Sequence, residues 1–128
     1  MVAESLGSGV EGSGLEPAQL EALRRLLLRA RAETLALLRE EEETARAAES
    51  FPEPMDAAEL SREQGDAAFL VERSRDRLRE IDEALAKMAS GRYGFSERSG
   101  RPIGFDRLKV IPWARDAADE DLEAAIEE

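Results

Sequence analysis

The sequence predicts a mainly α-helical fold: a long antiparallel coiled-coil hairpin with a small C-terminal globular knob that ends in a helix. Three observations predict it. Two long runs of helical periodicity flank FPEPMD at residues 51–56, which holds two prolines in three residues. Apolar residues recur in both runs at alternating steps of three and four. Charged residues make up 37% of the 128 and aromatic residues only 5%, a mix that suits amphipathic helices better than a large compact core.

Residues 1–15 are rich in Gly, Ser and Glu and read as a flexible tail. The hairpin spans residues 16–91. Its first helix is expected to begin near Glu16-Pro17, where proline suits a first helical turn. Leu20, Leu23, Leu27, Ala30, Thr34, Leu37, Glu41, Thr44 and Ala48 form its seam.

The prolines in 51–56 lack a backbone N–H and fix φ, so no continuous helix passes through. The residues before them, Phe51 and Glu53, are also pushed out of the α region. The chain must turn there, and Asp56 with Glu59 three residues on has the arrangement of a capping box. The second helix is expected from about Ala57 to Ser90, with Leu60, Gln64, Ala67, Val71, Ser74, Leu78, Ile81, Leu85 and Met88 as its seam. In both seams the large residues lie away from the turn, so the two match in an antiparallel pairing. Gly91 suits a C-terminal cap.

Residues 92–128 change texture. Tyr93, Phe95, Ile103, Phe105, Leu108, Ile111 and Trp113 supply a small core, and SERSG between Phe95 and Ile103 reads as a tight turn joining two very short strands. A final helix is expected from about Trp113 to Ile126.

Composition excludes several functions. A net charge of −11 opposes sequence-independent binding to a phosphate backbone and to an anionic membrane surface. The chain has no cysteine and no histidine, which removes disulfides, thiolate or imidazole metal sites and His-dependent nucleophilic triads. No apolar run is long enough to span a bilayer, and the N-terminus lacks the basic start and apolar core of a signal peptide. A cytoplasmic protein is expected. Glu53 and Asp56 could formally serve as an acid–base pair, but an exposed turn offers no pocket to shift their pKa values or exclude water. No enzyme activity, cofactor or metal is expected.

The stretch GRYGFSERSGRPIGFDRLKVIPWA, taken with FPEPMDAA, resembles the DksA/TraR family of bacterial RNA polymerase-binding regulators. The resemblance runs from about Leu20 to Glu120, and its YG…G.PIG…RL…P pattern is fairly specific. It implies a non-enzymatic transcription regulator whose hairpin enters the secondary channel of RNA polymerase. The acidic tip, matching Glu53, Asp56 and Ala58 here, would approach the catalytic region and modulate initiation. It implies no direct sequence-specific reading of DNA, no membrane association and a monomeric chain.

Three departures from the family pattern stand out. The knob of the family holds zinc through two C-x-x-C pairs, whereas the matching positions here are Ser96, Ser99, Ala117 and Glu120. Residues 92–128 thus read as a degenerate zinc-finger-like domain without zinc. The tip has Glu53 where the family has Asp. The basic residues that members responding to guanosine tetraphosphate use match Glu80, Ile111 and Asp121, none of which pairs with phosphate. The alternative reading is a coiled-coil protein-interaction module that has lost polymerase regulation.

Overall fold

The computed structural model describes residues 12–49 and 56–120. Residues 50–55 lie outside the described residues, and with them all of the expected turn except Asp56. The named helices are α1 (Pro17–Glu49), α2 (Ala57–Ala89) and the short α3 (Phe105–Leu108). At 33 residues each, α1 and α2 are about 50 Å long. They pack as the expected helical hairpin, and the fold is mainly α.

The chain divides into two compact units: residues up to Ala30 together with those from Glu80 onward, and Arg31–Arg79. This division cuts across the boundary expected at residues 91–92. The outer ends of both long helices group with the C-terminal segment, because they share one core. Leu20, Leu23, Leu27, Ile81, Ala84, Met88, Tyr93, Ile103 and Leu108 are buried in a single cluster, with Phe105 and Trp113 partly buried against it.

The start of α1 is set by local chemistry. The Glu16 N–H donates to Gln19 Oε1 at 2.9 Å, the reaching-back half of a capping box, and Pro17 occupies the first helical position. Leu15 and Leu20 flank this cap and both join the buried cluster, in the positions of a hydrophobic staple. This corrects the reading of residues 1–15 as a tail throughout. Ser13 and Leu15 are buried. The chain passes so close to Gly94 that a Cβ there would meet Leu15 Cδ1 at 3.0 Å. The polar and glycine-rich composition hid two packed residues.

The end of α2 is a Schellman motif. Gly91 has φ 73°, its N–H donates to the Met88 carbonyl at 3.3 Å, and the Arg92 N–H donates to the Lys87 carbonyl at 2.8 Å. Beyond it, Phe95 and Pro102 form an isolated antiparallel bridge, with no strand among the described residues. The Ser96 N–H donates to the Arg101 carbonyl and the Ile103 N–H to the Gly94 carbonyl, each at 2.8 Å, so the tight turn forms without the two short strands. The buried Tyr93 hydroxyl donates to the Pro112 carbonyl at 2.7 Å and ties the two ends of the segment together.

The backbone at Trp113 is not helical, contrary to expectation. Helical backbone appears at residues 118–120, where the described residues end. The Arg115 carbonyl accepts from the Glu97 N–H at 2.8 Å, which engages it outside any helical ladder. Residues 121–128 lie outside the described residues, including the match at Asp121.

In the second unit the seam is recognisable but shifts by one residue on α1. Leu38 is buried at 8% exposure while Leu37 is 49% exposed, and Ala45 is more buried than Thr44. An α-helix turns every 3.6 residues, so a strict 3.5-residue reading drifts off its face over several turns. On α2, Ala67, Val71 and Ser74 face inward as expected, whereas Gln64 is exposed. The buried Ser74 hydroxyl donates to Glu41 Oε1, and Arg75 Nη2 lies 3.1 Å from Glu42 Oε2. A hydroxyl at a seam position is tolerated because its hydrogen bond is made inside the hairpin.

Candidate functional site

The sequence points to two groups of residues: the tip, with Glu53, Asp56 and Ala58, and the four degenerate zinc positions. Glu53 lies outside the described residues. Asp56 is exposed, and its Oδ1 accepts from the Ala58 N–H at 3.0 Å while its carbonyl accepts from the Leu60 N–H at 2.9 Å. It is therefore the N-cap of α2, with one carboxylate oxygen in the cap. A negative charge there is favoured by the helix dipole, which holds it at the start of the helix. Ala58, two residues on, is also exposed. A capped acidic side chain beside a bare methyl group can bring charge close to a partner surface with little steric bulk.

The four matched zinc positions come together in the folded chain. Ser96 Oγ donates to Glu120 Oε2, and Ser99 Oγ donates to Glu120 Oε1. The Ala117 N–H donates to Glu120 Oε2 at 3.2 Å. Arg101, which the sequence reading did not single out, places Nη2 at 2.9 Å from Glu120 Oε1 and at 3.3 Å from Asp119 Oδ2. Asp116 Oδ1 lies 3.3 Å from Ser96 Oγ. Glu120 is only 2% exposed, so a carboxylate is buried and must be satisfied from within. The hydrogen bonds from Ser96 and Ser99, joined by those from Arg101 and the Ala117 amide, hold its carboxyl down to about 2 against the opposing effect of burial.

These residues do not fit zinc. A structural zinc site wants four thiolate or imidazole ligands. Here one carboxylate and two hydroxyls face one another, Ala117 offers only a backbone N–H, and the Arg101 guanidinium already sits against the carboxylate. Among the described residues no group of three or more acidic side chains is arranged to hold a metal ion.

Other features lie in the second unit. Leu37, Phe69 and Leu70 are exposed large apolar residues. Leu37 and Leu70 line a groove of about 300 Å³ with Arg73 and Arg77 on its wall. Seam reasoning placed Leu37 inside, so this surface was missed. No helix among the described residues is long and apolar enough to cross a membrane.

Known proteins share this architecture. No family model matches the chain. The RNA polymerase-binding transcription factor DksA of Caulobacter vibrioides is 38% identical over 100 residues, covering 75% of this chain and 68% of that protein. General stress protein 16O of Bacillus subtilis is 43% identical over 44 residues, a segment that spans 27% of that protein's length. Among solved structures, the transcription factor DksA2 from Pseudomonas aeruginosa superposes with a TM-score of 0.78 at 32% identity, over 100% of both chains.

Proposed function

This chain belongs to the DksA/TraR family, as a variant without the zinc-finger cysteines, and we propose that it is a transcription regulator that binds RNA polymerase. The observation that supports this most is the similarity to the Caulobacter factor, which extends over more than two thirds of that protein and is joined by the hairpin fold. The family is non-enzymatic, and the chain is read in the same way.

In this reading the hairpin enters the secondary channel of the polymerase, and Glu53, Asp56 and Ala58 meet the catalytic region. Asp56 brings a fixed negative charge, because its cap orients the carboxylate on α2. Ala58 leaves room for close approach. The protein acts as a monomer in the cytoplasm, without reading DNA sequence directly and without a membrane surface. Its net charge of −11 agrees with both exclusions.

Affinity capture of core RNA polymerase by the tagged full chain, followed by crosslinking from a photoreactive residue at position 58, tests the proposal. Capture with crosslinks to the catalytic subunits around the secondary channel is the expected result. Failure to capture polymerase would favour the interaction-module reading. Crosslinks confined to other surfaces would keep polymerase binding and reject the channel.

A further inference from the structure

In Glu120 the chain carries a buried carboxylate whose hydrogen-bonding capacity is used in full. An ionised carboxylate offers about four lone-pair sites. Oε1 accepts from Ser99 Oγ and Arg101 Nη2, and Oε2 accepts from Ser96 Oγ and the Ala117 N–H. The two serines are themselves committed. Ser96 Oγ accepts from the Arg98 and Ser99 N–H groups at 3.1 and 3.2 Å. Ser99 Oγ accepts from the Arg101 N–H at 3.2 Å and from Arg101 Nε at 3.4 Å. The turn at 96–101 is thus wound around two hydroxyls, and both hydroxyls point to the carboxylate of Glu120.

We propose that Glu120 is a structural hub that joins the 96–101 turn to the segment at 117–120 and makes this unit independent of metal. Two features support this beyond the bond count. Arg101 brings the positive charge, so the buried carboxylate is neutralised from within the chain. The hub's bonds to Ser96 and Ser99 span 24 and 21 residues of sequence, so it fixes non-local structure that neither segment holds alone. Asp116 and Asp119 face the same cluster, through Ser96 and Arg101 respectively, and complete its charged surroundings. With no lone pair of Glu120 left and a guanidinium beside it, this carboxylate is not available to a cation. The inference does not depend on which partner the hairpin meets.

The test uses the full chain and three variants, read by thermal melting of Trp113 fluorescence and by amide hydrogen exchange. Glu120→Gln keeps the shape and removes the charge. It is expected to lower the melting temperature by about 5 °C or more and to raise exchange at Ser99, Arg101 and Ala117. Ser99→Ala, a milder change, is expected to raise exchange at Ala117 although residue 117 is 18 positions away in the chain. Ser99→Thr, which keeps the hydroxyl, restores protection. Excess chelator leaves the wild-type melt unchanged, and the purified protein carries no stoichiometric zinc. The hub is overturned if Ser99→Ala leaves Ala117 protected, if Glu120→Gln melts like wild type, or if a chelator lowers the wild-type melt. Should Glu120→Gln fail to fold, the Ser99 pair still decides between the two outcomes.

Discussion

Arg101 Nη2 lies 2.9 Å from Glu120 Oε1, 19 positions further along the sequence. This contact brings a guanidinium to a carboxylate that two serines and a backbone amide already hold. Its consequence for acid stability has a definite sign. The Glu120 carboxyl is lowered from 4.5 to about 2 by the Ser96 and Ser99 hydrogen bonds first, then by Arg101 and Ala117. A carboxyl depressed in the folded state stabilises it at pH values above the unfolded pKa, and that stabilisation is lost as pH falls toward the folded pKa. Melting followed from pH 7 downward should therefore weaken between about 4.5 and 2. In Glu120→Gln this part of the pH dependence should be missing, and an unchanged slope would contradict the assignment.

Tyr93 gives the alkaline counterpart. Burial raises the pKa of its phenol well above the ordinary 10.0. A phenol raised in the folded state stabilises it below the unfolded pKa, and that contribution is lost as pH climbs past 10 toward the folded value. The chain has a single tyrosine, so ultraviolet titration of tyrosinate reads this residue alone. The native protein should show no tyrosinate until it unfolds. Tyr93→Phe removes the hydrogen bond to the buried Pro112 carbonyl, and urea unfolding should show a loss of about 1–3 kcal/mol.

Leu108 should dominate the packing of the C-terminal segment. The sequence places Leu108 and Trp113 in the same small core, but Leu108 is fully buried at 0% exposure, whereas Trp113 is only partly buried against the cluster. Leu108→Ala should cost about 2–5 kcal/mol, and Trp113→Ala less. Chemical denaturation of both variants, followed by circular dichroism, checks the order.

Binding and effect should separate at Asp56. Asn caps a helix about as well as Asp but carries no charge. Asp56→Asn is expected to bind core polymerase with near wild-type affinity and to lose most of its effect on initiation in a reconstituted transcription assay. Asp56→Ala would add a loss of about 1 kcal/mol in helix-end stability, which confounds the result. If Asp56→Asn leaves initiation effects intact, the tip is only a turn. If it abolishes binding, the tip anchors affinity.

Guanosine tetraphosphate should not potentiate this protein through the positions that match the family's nucleotide-binding residues. Glu80 repels phosphate and Ile111 offers no side-chain donor. Transcription with a polymerase stripped of its other nucleotide site should respond equally with and without the nucleotide. Potentiation that requires this chain would reject the expectation.

Much of the fold was legible in local chemistry. Asp56 marked the start of α2 and Gly91 its end, since each follows from the φ limits or donor groups of one or two residues. The inward faces of both helices were legible to within a residue, because helical periodicity repeats an error in angle slowly. Leu37 and Leu38 show where that runs out: one residue of drift exchanges a buried side chain for an exposed one. Ser13 and Leu15 were illegible, since the segment that packs against them, at Gly94, comes from far along the chain. The four zinc positions were legible as positions through the family resemblance, and their lack of metal ligands followed from residue type. What only the tertiary structure decided is that they still converge. Whether a lone glutamate is a surface charge or a buried hub depends on donors brought from 19 to 24 residues away. Such proximity arises only when the turn at 96–101 and the segment at 117–120 have been brought together by the folded chain.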